Sequence, residues 1–351
     1  MKIRARTTRL TALGAHIYAG GFSIGVREAG FQLLGHLEEW PFGVATSKAN
    51  LGVRVWQGVD SWEDAVEKHA GKIDFFYANP PCAAWSLCGC KGGVLETERW
   101  KTHPLTACTL RVFGLIPQLD PRVFAWESVT GAMAGGRAFV DERTQEMNDL
   151  GFRVYHVMVD GAKCGVPQHR KRFFFVASKV RIRWAAPEVE PPSVKAVLAS
   201  LGGPQTPLRT PSPALLRLLR RMPKGIRMEP RKQFMADLDG REPPKDEKGR
   251  VIGKPPFSFV RLGYDKLAPT IVGACNYFHP EEARYLTVAE QAALCCWPEG
   301  YKFKGPLNDV YAQIGKAVMP PTAEWLARNV HAALEANEPT KPGVVELDFI
   351  H

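Results

Sequence analysis

The sequence has no long hydrophobic run: none of its apolar stretches approaches the ~20 residues needed to cross a bilayer, which argues against a helical membrane protein. Its first eighteen residues, MKIRARTTRLTALGAHIY, carry basic residues without the apolar core of a secretory signal. The expected location is therefore the cytoplasm, with no membrane partner. The eight cysteines form no paired CxxC units and no HxxxH follows them, so neither a structural metal nor a disulfide framework is expected. Acidic charge is in short supply as well. With 36 Asp and Glu against 46 Lys and Arg, the net charge is +10, which suits a polyanionic partner without requiring one.

What is present is ordinary globular material: 351 residues, 45% apolar, enough for one large domain with a smaller companion. Up to about residue 180, strand-like and helix-like segments alternate. AHIYAG, LLGHLE, DFFYANP, RVFAWES and FRVYHVMVD read as short buried strands, and WEDAVEKHAG and ACTLRVFGLIPQL as helices between them. That order predicts an α/β, doubly wound parallel sheet. KRFFFVAS is expected to pair with FRVYHVMVD across the turn-rich AKCGVPQH and to give the sheet an antiparallel edge. From about residue 181, AAPEVEPPS, GGPQTPLRTPSP and REPPKDEKGR mark a separate small region. Within it LLRLLRRMPKGIRMEPRK holds seven basic residues from Arg217 to Lys232 against the single acid Glu229. Two readings stand for that run, a solvated amphipathic face and a phosphate-contacting one.

Three segments carry candidate chemistry. In DFFYANPPCAAWSLCG a buried strand stops at two prolines and presents Cys82 as it emerges, at the sheet edge where ligands collect in open α/β folds. A lone cysteine there is either a nucleophile needing activation or buried filler. RVFAWESVTG ends a strand on Glu127, an acid among apolar residues that needs a partner if buried. In CGVPQHRKRFFFVAS, the residues Gln168, Arg170 and Arg172 alternate, so their side chains are expected to face one way. Structural ion pairing between strands would account for the acid and the arginines, but together with the thiol they also form a set able to attack a polarised heterocycle.

These segments, in this order, resemble the DNA (cytosine-5) methyltransferases over nearly the whole chain. YAGGFSIGVREAGF is similar to the glycine-rich donor turn, ANPPC to the nucleophile motif, WESV to the Glu-Asn-Val motif and PQHRKR to the Gln-x-Arg-x-Arg motif. RYLTVAEQAALCCWPEGYKF resembles the segment that follows target recognition, and QIGKAVMPP the final motif. The resemblance implies a Rossmann-like S-adenosylmethionine-dependent fold with a small target recognition domain. It implies catalytic residues 1–185 and 284–337, a target recognition region 186–283 and a tail 338–351. Cys82 is implied to add to C6 of a flipped cytosine, Glu127 to hold the N3 and exocyclic amine edge, and Arg170 with Arg172 to stabilise charge at O2. Tyr18, Ala19, Gly20, Glu38, Asp60, Pro80, Lys316 and Val318 are implied to line the donor site. Ser86, Lys91, Gln168, Arg217, Arg220, Arg221 and Lys224 are implied to meet double-stranded DNA. The loop SLCGCKGGVLETERWKTHP would close over the base. A monomer acting in a bacterial host, encoded there or by a phage, is the expectation that goes with it.

The departures from the pattern are specific. The donor turn is about two residues short, His16 stands where an aspartate is usual, Ser128 replaces the motif asparagine, and Ala83 a common glutamine. Lys316 replaces an asparagine in the donor-pocket wall. A lysine there should repel the sulfonium of S-adenosylmethionine, and the loss of an aspartate at position 16 adds to the effect. The pocket therefore suits a donor with its own negative charge, carboxy-S-adenosylmethionine; if Lys316 turns outward instead, the donor is ordinary. Three rivals accompany this reading: the same chemistry on RNA, a catalytically silent binding module, and a nicotinamide oxidoreductase on the same fold. The last would leave PPC, ESV and QHRKR unexplained.

Overall fold

A computed structural model describes residues 9–86, 98–202, 209–221 and 260–350. In chain order the elements are β1 (Thr11–Ala15), α1 (Gly21–Glu28), β2 (Gln32–Glu38), α2 (Pro41–Asn50), β3 (Val55–Gln57), α3 (Trp62–His69), β4 (Phe75–Ala78), α4 (Thr106–Leu119), β5 (Val123–Val129), α5 (Gly131–Ala134), α6 (Arg137–Asp149), β6 (Arg153–Asp160) and β7 (Lys171–Ser178). After these come α7 (Val194–Ser200), α8 (Pro213–Arg221), the two-residue strands β8 (Val260–Arg261) and β9 (Tyr277–Phe278), α9 (Val288–Leu294), α10 (Leu307–Lys316), α11 (Pro320–Ala336) and β10 (Gly343–Phe349).

Eight strands form one sheet in the order β10-β6-β7-β5-β4-β1-β2-β3, parallel except for β7. Helices cover both faces, which is why β4 (FFYA) and most of β5 are apolar without alternation: both sides of each strand are buried. On one face Trp85, Phe113, Trp126, Phe139 and Phe175 pack together. On the other, Phe22, Phe75, Tyr77 and Phe174 meet Val330 and Leu334 of α11. A third cluster joins Val194, Val197, Val260, Leu262 and Ile271 to Ile314, Ala317 and Met319. This α/β, Rossmann-like architecture is the one expected.

Four details differ from the expectations. The first strand is TALGA, and most of AHIYAG is the turn after it, because His16 and Tyr18 adopt left-handed φ values of 50° and 53° that no strand accommodates. VWQ adds the short edge strand β3. KRFFFVAS does pair antiparallel with β6, but it also pairs with β5, so the antiparallel strand is interior. The residues expected as a tail contain β10, which lies parallel to β6 and packs Val345, Leu347 and Phe349 on the core while alternate residues face out. No helix among the described residues is long and apolar enough to cross a membrane.

Candidate active site

Beyond the carboxyl ends of β1, β4 and β5 the chain turns three times, and these turns carry the chemistry. Asn79 extends the sheet by one bond, its N–H donating to the Ala15 carbonyl at 3.1 Å. Pro80 and Pro81 then end the strand, since neither can donate to a ladder. Cys82 follows, half-buried, in a tight turn closed by the Trp85 N–H on its carbonyl at 3.0 Å. Glu127 on β5 is buried beside it, with one carboxylate oxygen accepting from Arg172 Nε at 2.8 Å and the other from Asn79 Nδ2 at 2.5 Å.

Burial pushes the Cys82 thiol up, as does Glu127, while Arg172 and Arg170 pull it down. Burial also raises the Glu127 carboxyl, against the pull of the two arginines. A carboxyl raised by burial can, when protonated, donate to a ring nitrogen, and an arginine beside it can meet developing negative charge.

The three alternating residues before and in β7 do different work. Arg172 reaches Glu127. Arg170 is 3% exposed, and its guanidinium donates to the carbonyls of Ile271, Gly315 and Ala317 at 2.9, 2.8 and 3.2 Å, leaving only Nε unpartnered among the described residues. It fastens the final motif to the sheet, so the expected contact of Arg170 with cytosine O2 is corrected to a structural one. Gln168 is fully buried, donating to the Leu294 carbonyl and accepting from the Ile271 N–H, both at 2.9 Å. Its amide is spent on backbone, so the expected DNA contact is corrected to a structural one.

On the donor side, β2 ends on Glu38. One of its oxygens accepts from the Tyr18 N–H at 2.9 Å, the other from Glu39 and Trp40 N–H groups at 2.9 and 3.0 Å, and burial pushes its carboxyl up to about 7. Glu38 therefore pins the donor turn. The more accessible acid is Glu39, missed in the sequence, which pairs with Arg111 of α4. Gly20 takes φ 94°, where a side chain would be strained, and the Ala19 carbonyl accepts from the Tyr301 hydroxyl. Val318 is buried and its carbonyl approaches Gly21 so closely that a Cβ there would lie 2.2 Å from it. Pro80 is buried, and Asp60 is exposed in a short turn at Val59–Ser61.

Lys316 ends α10, exposed, with Nζ 5.9 Å from the centroid of the Trp40 ring; that ring meets Tyr18 edge-on at 5.9 Å. His16 is buried edge-on against Trp62, and burial with Arg111 lowers it to about 4, so it is neutral. His16 Nε2 and Asn79 Oδ1 are buried polar atoms without partners among the described residues. The first, at the end of β1 before the donor turn, suits a polar ligand such as S-adenosylmethionine; the second belongs to the Cys82 cluster.

Of the expected DNA contacts, Arg217, Arg220 and Arg221 are exposed on α8 while Leu215 and Leu219 turn inward. Ser86 is half-buried, its carbonyl accepting from Arg99. Lys91, most of its loop, and Lys224 lie outside the described residues.

The family described as C-5 cytosine-specific DNA methylase matches residues 16–332. The chain is 25% identical over 341 residues to the type II methyltransferase M.AplI of Arthrospira platensis, covering 95% of this chain and 89% of that protein. It is 27% identical over 330 residues to M1.HphI of Haemophilus parahaemolyticus, covering 92% and 86%. Among solved structures, Entamoeba histolytica methyltransferase EhMeth superposes with a TM-score of 0.64 at 11% identity over 93% of this chain and 99% of that one. Spodoptera frugiperda DNMT2 gives 0.60 at 14% identity over 92% and 99%. With its sheet, its thiol and its carboxyl in the places described, and with the family matched over most of its length, the chain belongs to the C-5 cytosine-specific DNA methylases and is a DNA cytosine-5 methyltransferase.

Proposed function

We propose that the protein alkylates C5 of a cytosine flipped out of duplex DNA through covalent addition of Cys82, and that Lys316 selects carboxy-S-adenosylmethionine, making the product 5-carboxymethylcytosine. The region 186–283 contacts the target, with α8 toward phosphate. The observation that carries the chemistry is Glu127 held between Arg172 and Asn79 beside the Cys82 turn. The Cys82 thiolate forms the S–C6 bond, Glu127 supplies a proton at N3, and the electron pair displaced from the C5=C6 bond makes C5 nucleophilic. Arg172 offsets charge at O2. Tyr18, Glu39, Trp40 and Lys316 would hold the donor, whose sulfonium would supply the electrophilic carbon; as the bond to C5 forms, the carbon–sulfur bond breaks and S-adenosylhomocysteine leaves. Loss of the C5 proton to solvent then expels the Cys82 thiolate, and return of the N3 proton to Glu127 restores the neutral aromatic ring.

What supports the carboxylated donor is the ammonium of Lys316 over Trp40, on the ring that borders the donor turn. A charged hydrogen bond is worth about 1.5–3 kcal/mol, roughly a ten- to hundredfold preference. The exposure of Lys316 favours a second reading, in which its amine meets solvent or phosphate and the product is 5-methylcytosine.

Duplex DNA and transfer RNA would be incubated with both donors in competition, and the nucleosides analysed by mass spectrometry. The expected product is 5-carboxymethylcytosine in DNA, shifting toward 5-methylcytosine in Lys316→Asn. Exclusive 5-methylcytosine with no effect of Lys316→Asn overturns the donor assignment. DNA carrying 5-fluorocytosine should form a denaturation-resistant adduct that Cys82→Ala abolishes; an adduct surviving that substitution overturns the nucleophile.

A further inference from the structure

Asn79, in the ANPPC segment, enters the proposed reaction only as a brace for Glu127, and its amide oxygen is given no part in it. It is 3% exposed, and its backbone is fixed on both sides, by the bond to Ala15 before it and by Pro80 and Pro81 after it. Its side chain is fixed too. The amide nitrogen faces Glu127 at 2.5 Å, the orientation an ionised carboxylate with Arg172 on its other oxygen calls for, and the amide oxygen faces elsewhere. That oxygen has no hydrogen-bond partner among the described residues. A buried, unpartnered acceptor held rigidly beside a nucleophile is costly in the free protein, and it is relieved by a ligand that brings an N–H.

Resting on the proposed action on a flipped cytosine, we propose that Asn79 reads the exocyclic amine of the base, its Oδ1 accepting a hydrogen from N4 while its Nδ2 holds Glu127. The amine is what separates cytosine from uracil and thymine, which present a carbonyl oxygen at the same ring position. Two acceptors would then face each other across a buried gap, and a wrong base is turned away by an unpaired group on each side. Glu127 alone discriminates less firmly, since it can gain a proton and donate to a carbonyl, whereas a fixed amide oxygen cannot. Asn79 thus makes base selection independent of the protonation of Glu127.

The test uses the full chain in the Cys82→Ala background, so that binding is read without covalent capture. Duplexes carrying cytosine or 2-pyrimidinone, which lacks only the N4 amine, would replace the target base at the site mapped by sequencing modified DNA. Uracil supplies a third arm. The expected result is that Asn79→Ala shrinks the preference for cytosine over 2-pyrimidinone by about tenfold, the usual size of one lost hydrogen bond to a buried group. Arg172→Ala, which removes the other brace of Glu127 but nothing near the amine, weakens both duplexes alike. Asn79→Ser serves if thermal melting shows the alanine variant unfolded. Equal weakening of both duplexes by the Asn79 variants, or an equal shrinkage in Arg172→Ala, overturns the assignment and leaves Asn79 a brace. If the chain with Cys82 intact forms no adduct with 5-fluorocytosine DNA, the proposed function itself fails and this inference falls with it.

Discussion

Arg170, just before β7, and Arg172, within it, stand two residues apart, yet they serve different ends. Arg170 closes three backbone carbonyls that would otherwise be buried without partners, so Arg170→Met should lower stability by about 3 kcal/mol or more, read as a shift in the urea midpoint. Arg172 lies against Glu127 with nothing comparable to hold together, and Arg172→Gln should leave the chain folded while slowing single-turnover alkylation by about a hundredfold. If Arg170→Met melts normally and loses only rate, the two roles are reversed. Alternation in QHRKR led to the expectation that both face one way. It could not say which guanidinium meets carbonyls and which meets the carboxyl, because Ile271, Gly315 and Glu127 come from distant parts of the chain. Glu38 and Glu39 present the same limit: two adjacent acids, of which backbone amides claim the first.

Among the elements, α1 and α11 show how small residues set an approach. Gly21 and Gly25 lie four apart on one face of α1, and a Cβ at Gly25 would come within 2.4 Å of Glu324 N and 2.5 Å of the Pro320 carbonyl. These are backbone atoms and cannot swing aside. Gly25→Ala should therefore destabilise the protein by about 1–3 kcal/mol, seen in thermal melting, and raise the KM for the donor because α1 begins at the donor turn. An unchanged melting temperature would mean that the helices separate freely. The glycine-rich turn was legible in the sequence, but its second glycine pair was not, since nothing local distinguishes a helix that packs on backbone from one that packs on side chains. β10 was missed for a related reason: VVELDF alternates as an edge strand should, but its pairing partner lies far back in the chain.

Across the whole molecule, buried histidines tie stability to pH. Burial lowers His36 to about 3 and, with Arg111, His16 to about 4. Their ordinary value is near 6.5, so as pH falls below that the unfolded chain takes up protons that the folded chain refuses. The stability these neutral rings contribute is complete above pH 6.5 and is lost as pH drops through the folded values, at about 1.4 kcal/mol per unit for each ring. Glu38, raised to about 7, works in the opposite sense between pH 7 and its ordinary range near 4.5, offsetting one histidine. His36→Gln, keeping a polar partner for Ser23, should lose about 2–3 kcal/mol less stability between pH 7.5 and 4.5 than the parent chain in urea titrations. Parallel curves for the two would mean that His36 takes up its proton in the folded state.

The sequence alone determined that the chain forms a mainly parallel α/β sheet and that Cys82 follows a strand stopped by prolines, because those follow from local hydrophobic pattern and from residues that cannot donate to a ladder. It also showed which reactive groups are present, a thiol, a carboxyl and two guanidiniums, though burial and the neighbouring charges that tune them come from the fold. Only the tertiary structure decided that β7 is interior, that Arg170 and Gln168 fasten backbone, that Glu39 is more open than Glu38, and that Asn79 turns one end of its amide to Glu127 and leaves the other without a partner among the described residues. The reason is physical: pattern along a chain fixes which way a side chain points, whereas partners are fixed by what folding brings within three ångströms of it.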